Sequence, residues 1–208
     1  DPNKTDILHS NEGPSWDHIA GTDDAGRDIF TRLLYGARYS LAIGLIGAIL
    51  STVLGITLGA FAGYFGKWTD NTIMRSMDVL QSIPGILIAL IIAAVLGPGF
   101  WNTIIALTIG GIVPAGRITR GQILAERTRE YVEAAEAINS GRLRIMFSEV
   151  LPNTMSPLIV HTTTAVGGTI LVAASLSYIG LGVRPPTAEW GAMLTEGSQV
   201  VLAHQHIV

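Results

Sequence analysis

The stretch Glu130–Asn153 reads EYVEAAEAINSGRLRIMFSEVLPN, and its reading decides the fold. It is a charged, helix-prone island between long tracts with no charge at all. Ala125 to Ile138 is rich in Glu, Arg and Ala and has neither Pro nor Gly, so one helix is expected there. Leu124, Tyr131, Ala134, Ala135 and Ile138 recur at near-helical spacing and form an apolar stripe. Glu126 and Glu130 can pair with Arg129 or Arg127 on the exposed face. Asn139-Ser140-Gly141 is turn chemistry, suited to ending one helix and capping the next. A short second helix is expected over Arg142–Val150, stopped by Pro152. The object is a helix-turn-helix elbow. Its small residues, Ala134 and Ala135, suit a helix that sits deep in a partner's groove. The plain alternative is a solvated loop with a helix in it.

Working outward, three charge-free tracts surround the island: Tyr39–Gly66, Val79–Gly116 and Val150–Val183. A spanning helix needs about 20 apolar residues. The first and third tracts each fit one span, over 39–66 and 154–181. The second is too long for one crossing and contains Gly97-Pro98-Gly99, which reads as a tight hairpin between spans at 79–96 and 100–118. A re-entrant pair that never crosses competes with this reading. The full hairpin puts the loops 67–78 and 117–149 on one side, with Lys67, Arg75, Arg117, Arg120, Arg127, Arg129, Arg142 and Arg144. The positive-inside rule makes that side cytoplasmic. Residues 1–38 and 182–208 are then extracytoplasmic.

Composition agrees with a membrane protein. Of 208 residues, 49% are hydrophobic and 14% charged, and the mean hydropathy is +0.45. Soluble domains carry about a quarter charged residues. The net charge of −3 gives no argument for nucleic acid, and without cysteine there is neither a disulfide framework nor a thiolate metal site. His204 and His206 are the one close histidine pair, and a spacing of two fixes too few ligands for a metal site. The spans lack ionisable groups except at their ends, with His161 the nearest exception, which argues against an ion-coupled carrier or a channel. Gly55, Gly59 and Gly63 share one face of the first span. Close packing within the chain is the favoured reading, ahead of a lining for a substrate path. Asp23, Asp24, Arg27 and Asp28 could bind a cation or a protein. Capping and pairing of an exposed turn is the plainer reading. There is no H-E-x-x-H, no G-x-S-x-G and no P-loop, so the chain is not expected to be an enzyme.

Several segments carry a family resemblance, in order, over about residues 16–197. Arg129–Ala135, Leu143–Phe147 and Leu151-Pro152-Asn153 resemble the cytoplasmic EAA loop of ATP-binding-cassette importer permeases of the dipeptide/oligopeptide/nickel type. Gly21–Phe30 with Arg32–Arg38, Ala62–Gly66, Met77-Asp78-Val79, Ser175–Val183, Pro185-Pro186 and Trp190-Gly191 also match that family. The resemblance implies an all-α polytopic helical bundle of the type I importer class, the second permease of its pair, with four of six spans present here; the first would precede Asp1 and the last would follow Val208. It implies that the loop 119–153 couples to an ATPase through Tyr131, Glu133, Ala134, Ala135, Ile138, Asn139 and Gly141. The family's turn glycine falls at Asn139, which can still adopt the left-handed conformation. The implied partners are a second homologous permease, two cytoplasmic ATP-binding-cassette subunits that hold ATP and Mg, an extracytoplasmic substrate-binding protein and the bilayer of a prokaryotic inner membrane. Peptides are the implied cargo, with nickel chelates, opines or small oligosaccharides as alternatives.

Overall fold

The structure is a computed structural model and describes residues 1–204 and 207. It is all-α, as expected. A 3-10 turn at Ile7–His9 precedes α1 (Ile29–Phe65), α2 (Lys67–Gln81), α3 (Gly85–Leu96), α4 (Phe100–Glu126), α5 (Glu130–Ala137) and α6 (Arg142–Arg144). A π-helical turn (Ile145–Val150) follows, then α7 (Leu151–Asn153), α8 (Met155–Tyr178) and α9 (Trp190–Ser198). Thr22 and Asp28 form an isolated antiparallel bridge. His206 lies outside the described residues, and the His204–His206 pair with it.

Among the described residues two helices, α1 and α8, are long and apolar enough to cross a membrane, or three if α2 and α3 form one bent span. Four were expected. The first begins well before Tyr39, because the Asp28 carboxylate accepts the Thr31 amide at 2.8 Å and so caps the helix from Ile29 onward. The expected straight span over 79–96 is interrupted at Ser82-Ile83-Pro84, and α3 leaves α2 at 81°. Proline lacks an N–H and disfavours helix in the residue before it. The 12 residues of α3 rise only about 18 Å, less than the ~30 Å hydrocarbon thickness. A broken or re-entrant element fits this bend. The Gly97-Pro98-Gly99 hairpin does form. Gly97 and Gly99 have φ of 79° and 156°, and the Asn102 amide donates to the carbonyls of Leu96 and Gly97 at 2.9 and 3.0 Å. Beyond it, α4 continues past the expected end at 118 and carries Arg117 and Arg120 within the helix.

The chain divides into two compact units. The first comprises residues 1–46, 89–106 and 168–208. Here the Gly-Arg-Asp segment is structural. Asp23 accepts the amides of Ala25 and Arg27 at 3.0 and 2.9 Å and pairs with Arg27 Nε at 2.7 Å. Glu196 of α9 takes Arg27 and Arg32 at 2.8 and 3.0 Å. Glu189 is buried, caps α9 through the Ala192 amide at 2.9 Å, and accepts Ser40 Oγ of α1 at 3.1 Å. No group of three or more His, Cys, Asp or Glu among the described residues could hold a metal.

The second unit comprises residues 47–88 and 107–167. Gly55, Gly59 and Gly63 pack on α4, as the intrachain reading expected. A Cβ at Gly55 would lie 2.5 Å from Ala115 Cβ, one at Gly63 would lie 2.9 Å from Ile123 Cβ, and one at Gly59 would enter the Gly116 carbonyl. The two helices approach so closely only because that face has no side chains. α2 is strapped to α4 by charge. Asp70 meets Arg120 at 2.5 and 2.6 Å in a two-pronged pair, and Asp78 meets Arg117 at 2.6 Å.

Candidate functional site

The expected elbow is present, with two corrections to its inner boundaries. The single helix over 125–138 is instead two, because the chain turns at 127–129. Thr128 Oγ donates to the Ala125 carbonyl at 3.1 Å, and Arg129 is extended, with φ −80° and ψ 149°. Arg127 explains why good helix formers give way here. Its guanidinium donates to the carbonyls of Gly63 and Tyr64 at 3.0 and 3.2 Å, satisfying the open C-terminal end of α1. The break separates Leu124, on α4, from the rest of the expected stripe. The second correction concerns Pro152. It does not stop the second helix but lies in the first turn of α7, where a missing N–H costs little. The wide π turn before it opens space at the carbonyls that a proline ring would otherwise strike.

The expected turn forms as the sequence implied. Asn139 has φ 58°. The Ser140 amide donates to the Ala135 carbonyl at 3.1 Å and the Asn139 amide to the Glu136 carbonyl at 2.9 Å. This pair of bonds is the Schellman pattern, with asparagine in the left-handed position usually held by glycine. Gly141 is extended and leads into α6. Asn139→Gly is therefore expected to keep the elbow intact, whereas Asn139→Val should destabilise it by about 1–2 kcal/mol. Protease sensitivity within 130–153 would report the difference, and equal sensitivity of the two variants would refute this reading of the turn.

The fully buried anchors of the elbow lie outside the expected stripe, with Tyr131 and Ala135 of the stripe packed beside them. Val132, Ile145, Met146 and Val150 are buried in one cluster with Ala60 of α1 and Ile123 of α4, and Phe61, Tyr64, Phe65, Tyr131, Ala135 and Leu151 pack around it. Phe147 meets Phe61 edge-on at 6.2 Å. The Tyr131 hydroxyl ties three segments together. It donates to Glu126 Oε1 at 3.0 Å and accepts from Asn153 Nδ2 at 3.3 Å, while Asn153 also donates to the Glu149 carbonyl at 2.6 Å. Burial, and then the Glu126 carboxylate, push the phenol above its ordinary range, so it remains a neutral donor at physiological pH.

The outward face holds the other expected site residues. Glu133, Ala134, Ile138, Asn139 and Gly141 are exposed, and Ile138 is 78% exposed. Tyr131, Ala134, Ala135 and Ile138 line one groove of about 430 Å³, with Arg144 and Glu149 on its walls. Glu133 stands on the same helix without lining the groove, and Asn139 and Gly141 shape the turn below it. Glu130 and Glu133 occupy the first turn of α5, where they complement its dipole. The arrangement is a short helix with an exposed isoleucine beside a groove lined by small residues, with Arg144 and Glu149 facing it.

The family described as "Binding-protein-dependent transport system inner membrane component" matches residues 55–204. The chain is 43% identical over 190 residues to the dipeptide transport system permease protein DppC of Alkalihalophilus pseudofirmus, covering 91% of this chain and 62% of the relative. It is 40% identical over 205 residues to the glutathione transport system permease protein GsiD of Pectobacterium atrosepticum, covering 99% and 68%. It is 44% identical over 190 residues to the di/tripeptide transport system permease protein DppC of Pseudomonas aeruginosa, covering 91% and 63%. The chain thus spans 62–68% of the length of these relatives. Among solved structures it resembles the inward-facing MetNI methionine ABC transporter, with a TM-score of 0.65 and 16% identity over 86% of each chain. That likeness establishes the fold. The chain belongs to the family of inner-membrane components of binding-protein-dependent transport systems.

Proposed function

We propose that this chain is the greater part of a permease subunit of an ATP-driven, binding-protein-dependent importer, and that residues 119–153 seat it on a cytoplasmic ATPase. The groove floored by Ala134 and Ala135 and edged by the exposed Ile138 carries this reading, because it gives a soluble partner apolar surface to cover between the charged walls of Arg144 and Glu149. Tyr131 and Asn139 hold the elbow's shape, and Gly141 leads out of its turn. In this scheme two ATP-binding-cassette subunits hold ATP and Mg, a second homologous permease completes the path, and an extracytoplasmic binding protein delivers cargo near residues 1–38 and 182–208. The relatives' names favour di- and oligopeptides as that cargo. Counting the bent α2–α3 pair as one crossing and α4 through its charge-free half as another, α1 and α8 bring the chain to four of six crossings in the inner membrane.

The chain has no cysteine, so single introduced thiols report contacts without background. Ala134→Cys and Ile138→Cys are expected to cross-link to an ATPase subunit in the assembled transporter, with a yield that changes on nucleotide binding. Val132→Cys, whose side chain is buried, should not cross-link. Absence of any ATPase adduct from the two exposed positions would refute the seating.

A further inference from the structure

A separate cavity of about 360 Å³ lies where the end of α1 meets the elbow. Tyr64, Phe65, Lys67, Arg127, Glu136 and Arg142 line it. Three of these are cations and one is a carboxylate, leaving a surplus of two positive charges (3 − 1 = 2). Lys67, Arg127 and Arg142 are not within ion-pair distance of a carboxylate among the described residues, in contrast to Arg117, Arg120 and Arg129. The Tyr64 hydroxyl is buried and has no hydrogen-bond partner. A buried hydroxyl is seldom left unmade, and the charges that act on it here are those of Glu136 and, more weakly, Arg142. Arg127 uses Nη1 on the Gly63 and Tyr64 carbonyls and retains further N–H groups in its fork. Together these groups leave a surplus of positive charge and N–H donors at the cavity.

Its level is set by the sequence around it. The apolar helix α1 ends at Phe65, and Lys67 and Trp68 follow, with Trp68 78% exposed. Aromatic and basic residues at the end of a span mark the headgroup region of a bilayer. Basic pockets between helices on the cytoplasmic side suit phospholipid headgroups.

We infer that this cavity binds the phosphate of an anionic phospholipid such as phosphatidylglycerol or cardiolipin, with Tyr64, Lys67, Arg127 and Arg142 as its donors. The inference rests on the proposed topology, which puts this end of α1 on the cytoplasmic side, and does not depend on the ATPase seating. The test uses the full-length subunit in its assembled transporter, in phosphatidylcholine nanodiscs doped with phosphatidylglycerol, and reads retained lipid by native mass spectrometry. Lys67→Gln combined with Arg142→Gln should lower phosphatidylglycerol retention about 30-fold, about fivefold for each basic residue removed near the membrane surface. Tyr64→Phe keeps the ring and every charge, and should lower retention about fivefold through one lost donor. Arg75→Gln, which removes a charge outside the cavity, should retain lipid as the wild type does. Equal retention by wild type, Tyr64→Phe and the double variant would overturn the inference. So would displacement of the lipid by millimolar inorganic phosphate, which would make free phosphate the ligand. Retention by the isolated subunit but not by the assembled transporter would also overturn it, since a partner's acidic side chain would then fill the cavity.

Discussion

On the proposed seating and cargo, Glu133→Arg is expected to abolish uptake while leaving the subunit folded in the membrane. Glu133 is exposed, and among the described residues its carboxylate has no ion pair or hydrogen bond in this chain. The cost to the fold is the loss of an acid from the first turn of α5 and its replacement by a cation, about 0.3–1 kcal/mol. The cost to the proposed seating is larger. Reversing a charge at a formed interface leaves a desolvated group facing the wrong sign and costs about 2–5 kcal/mol, or a 30- to several-thousand-fold loss of association. Uptake of a labelled dipeptide, the amount of permease in the membrane and co-purification of the ATPase should be measured together. Normal membrane level with lost uptake and lost ATPase is the expected result. Uptake at the wild-type rate would remove Glu133 from the seating surface.

Asp23→Ala should have the largest effect on stability. The carboxylate holds the Ala25 and Arg27 amides and Arg27 Nε, and lies 3.5 Å from Arg32 Nε. Arg27 and Arg32 are 8% and 1% exposed. Without Asp23, Arg32 is left with Glu196, and Arg27 with Glu196 and the more exposed Asp24. Breaking a buried ionic group by deleting one partner costs about 3–5 kcal/mol, because the remaining charges stay desolvated. Asp24→Ala is the matched control: it lies 3.5 Å from Arg27 with its side chain 57% exposed, so the change should stay within about 0.5 kcal/mol. Thermal unfolding of the two variants in lipid nanodiscs would compare them directly. Equal melting temperatures would show that the cluster does not hold residues 1–28 in place.

What the sequence made legible was local. Asn139-Ser140-Gly141 and Gly97-Pro98-Gly99 turn where they should, because left-handed φ and a missing amide hydrogen act on neighbouring residues alone. The glycine face of α1 was legible because spacing by four defines a face without knowledge of what covers it. The bend at Pro84 has a local cause too, but Val79–Leu96 was read as a straight span because it carries no charge. Other features depend on distant partners. Arg127 ends α4 by bonding to carbonyls 63 and 64 residues earlier in the chain, and no local propensity encodes that. Asn153 matched the family's pattern, yet its bond to the Tyr131 hydroxyl needs the folded elbow. Val132 was passed over for its exposed neighbours, since α5 alone does not reveal which side faces α1 and α4. Glu189 drew no reading from the sequence and is the buried cap of α9.

The shared cluster beneath the elbow has a mechanical consequence. Val132, Met146 and Val150 wedge α5 and the π turn against Ala60 and Ile123, and Arg127 fastens the last carbonyls of α1. A load applied at Ile138 therefore meets close-packed atoms, which compress very little. The turn at 139–141 is closed by its own pair of Schellman bonds, while the buried cluster joins the elbow to α1 and α4, so a push on the elbow bears on the ends of both long helices together.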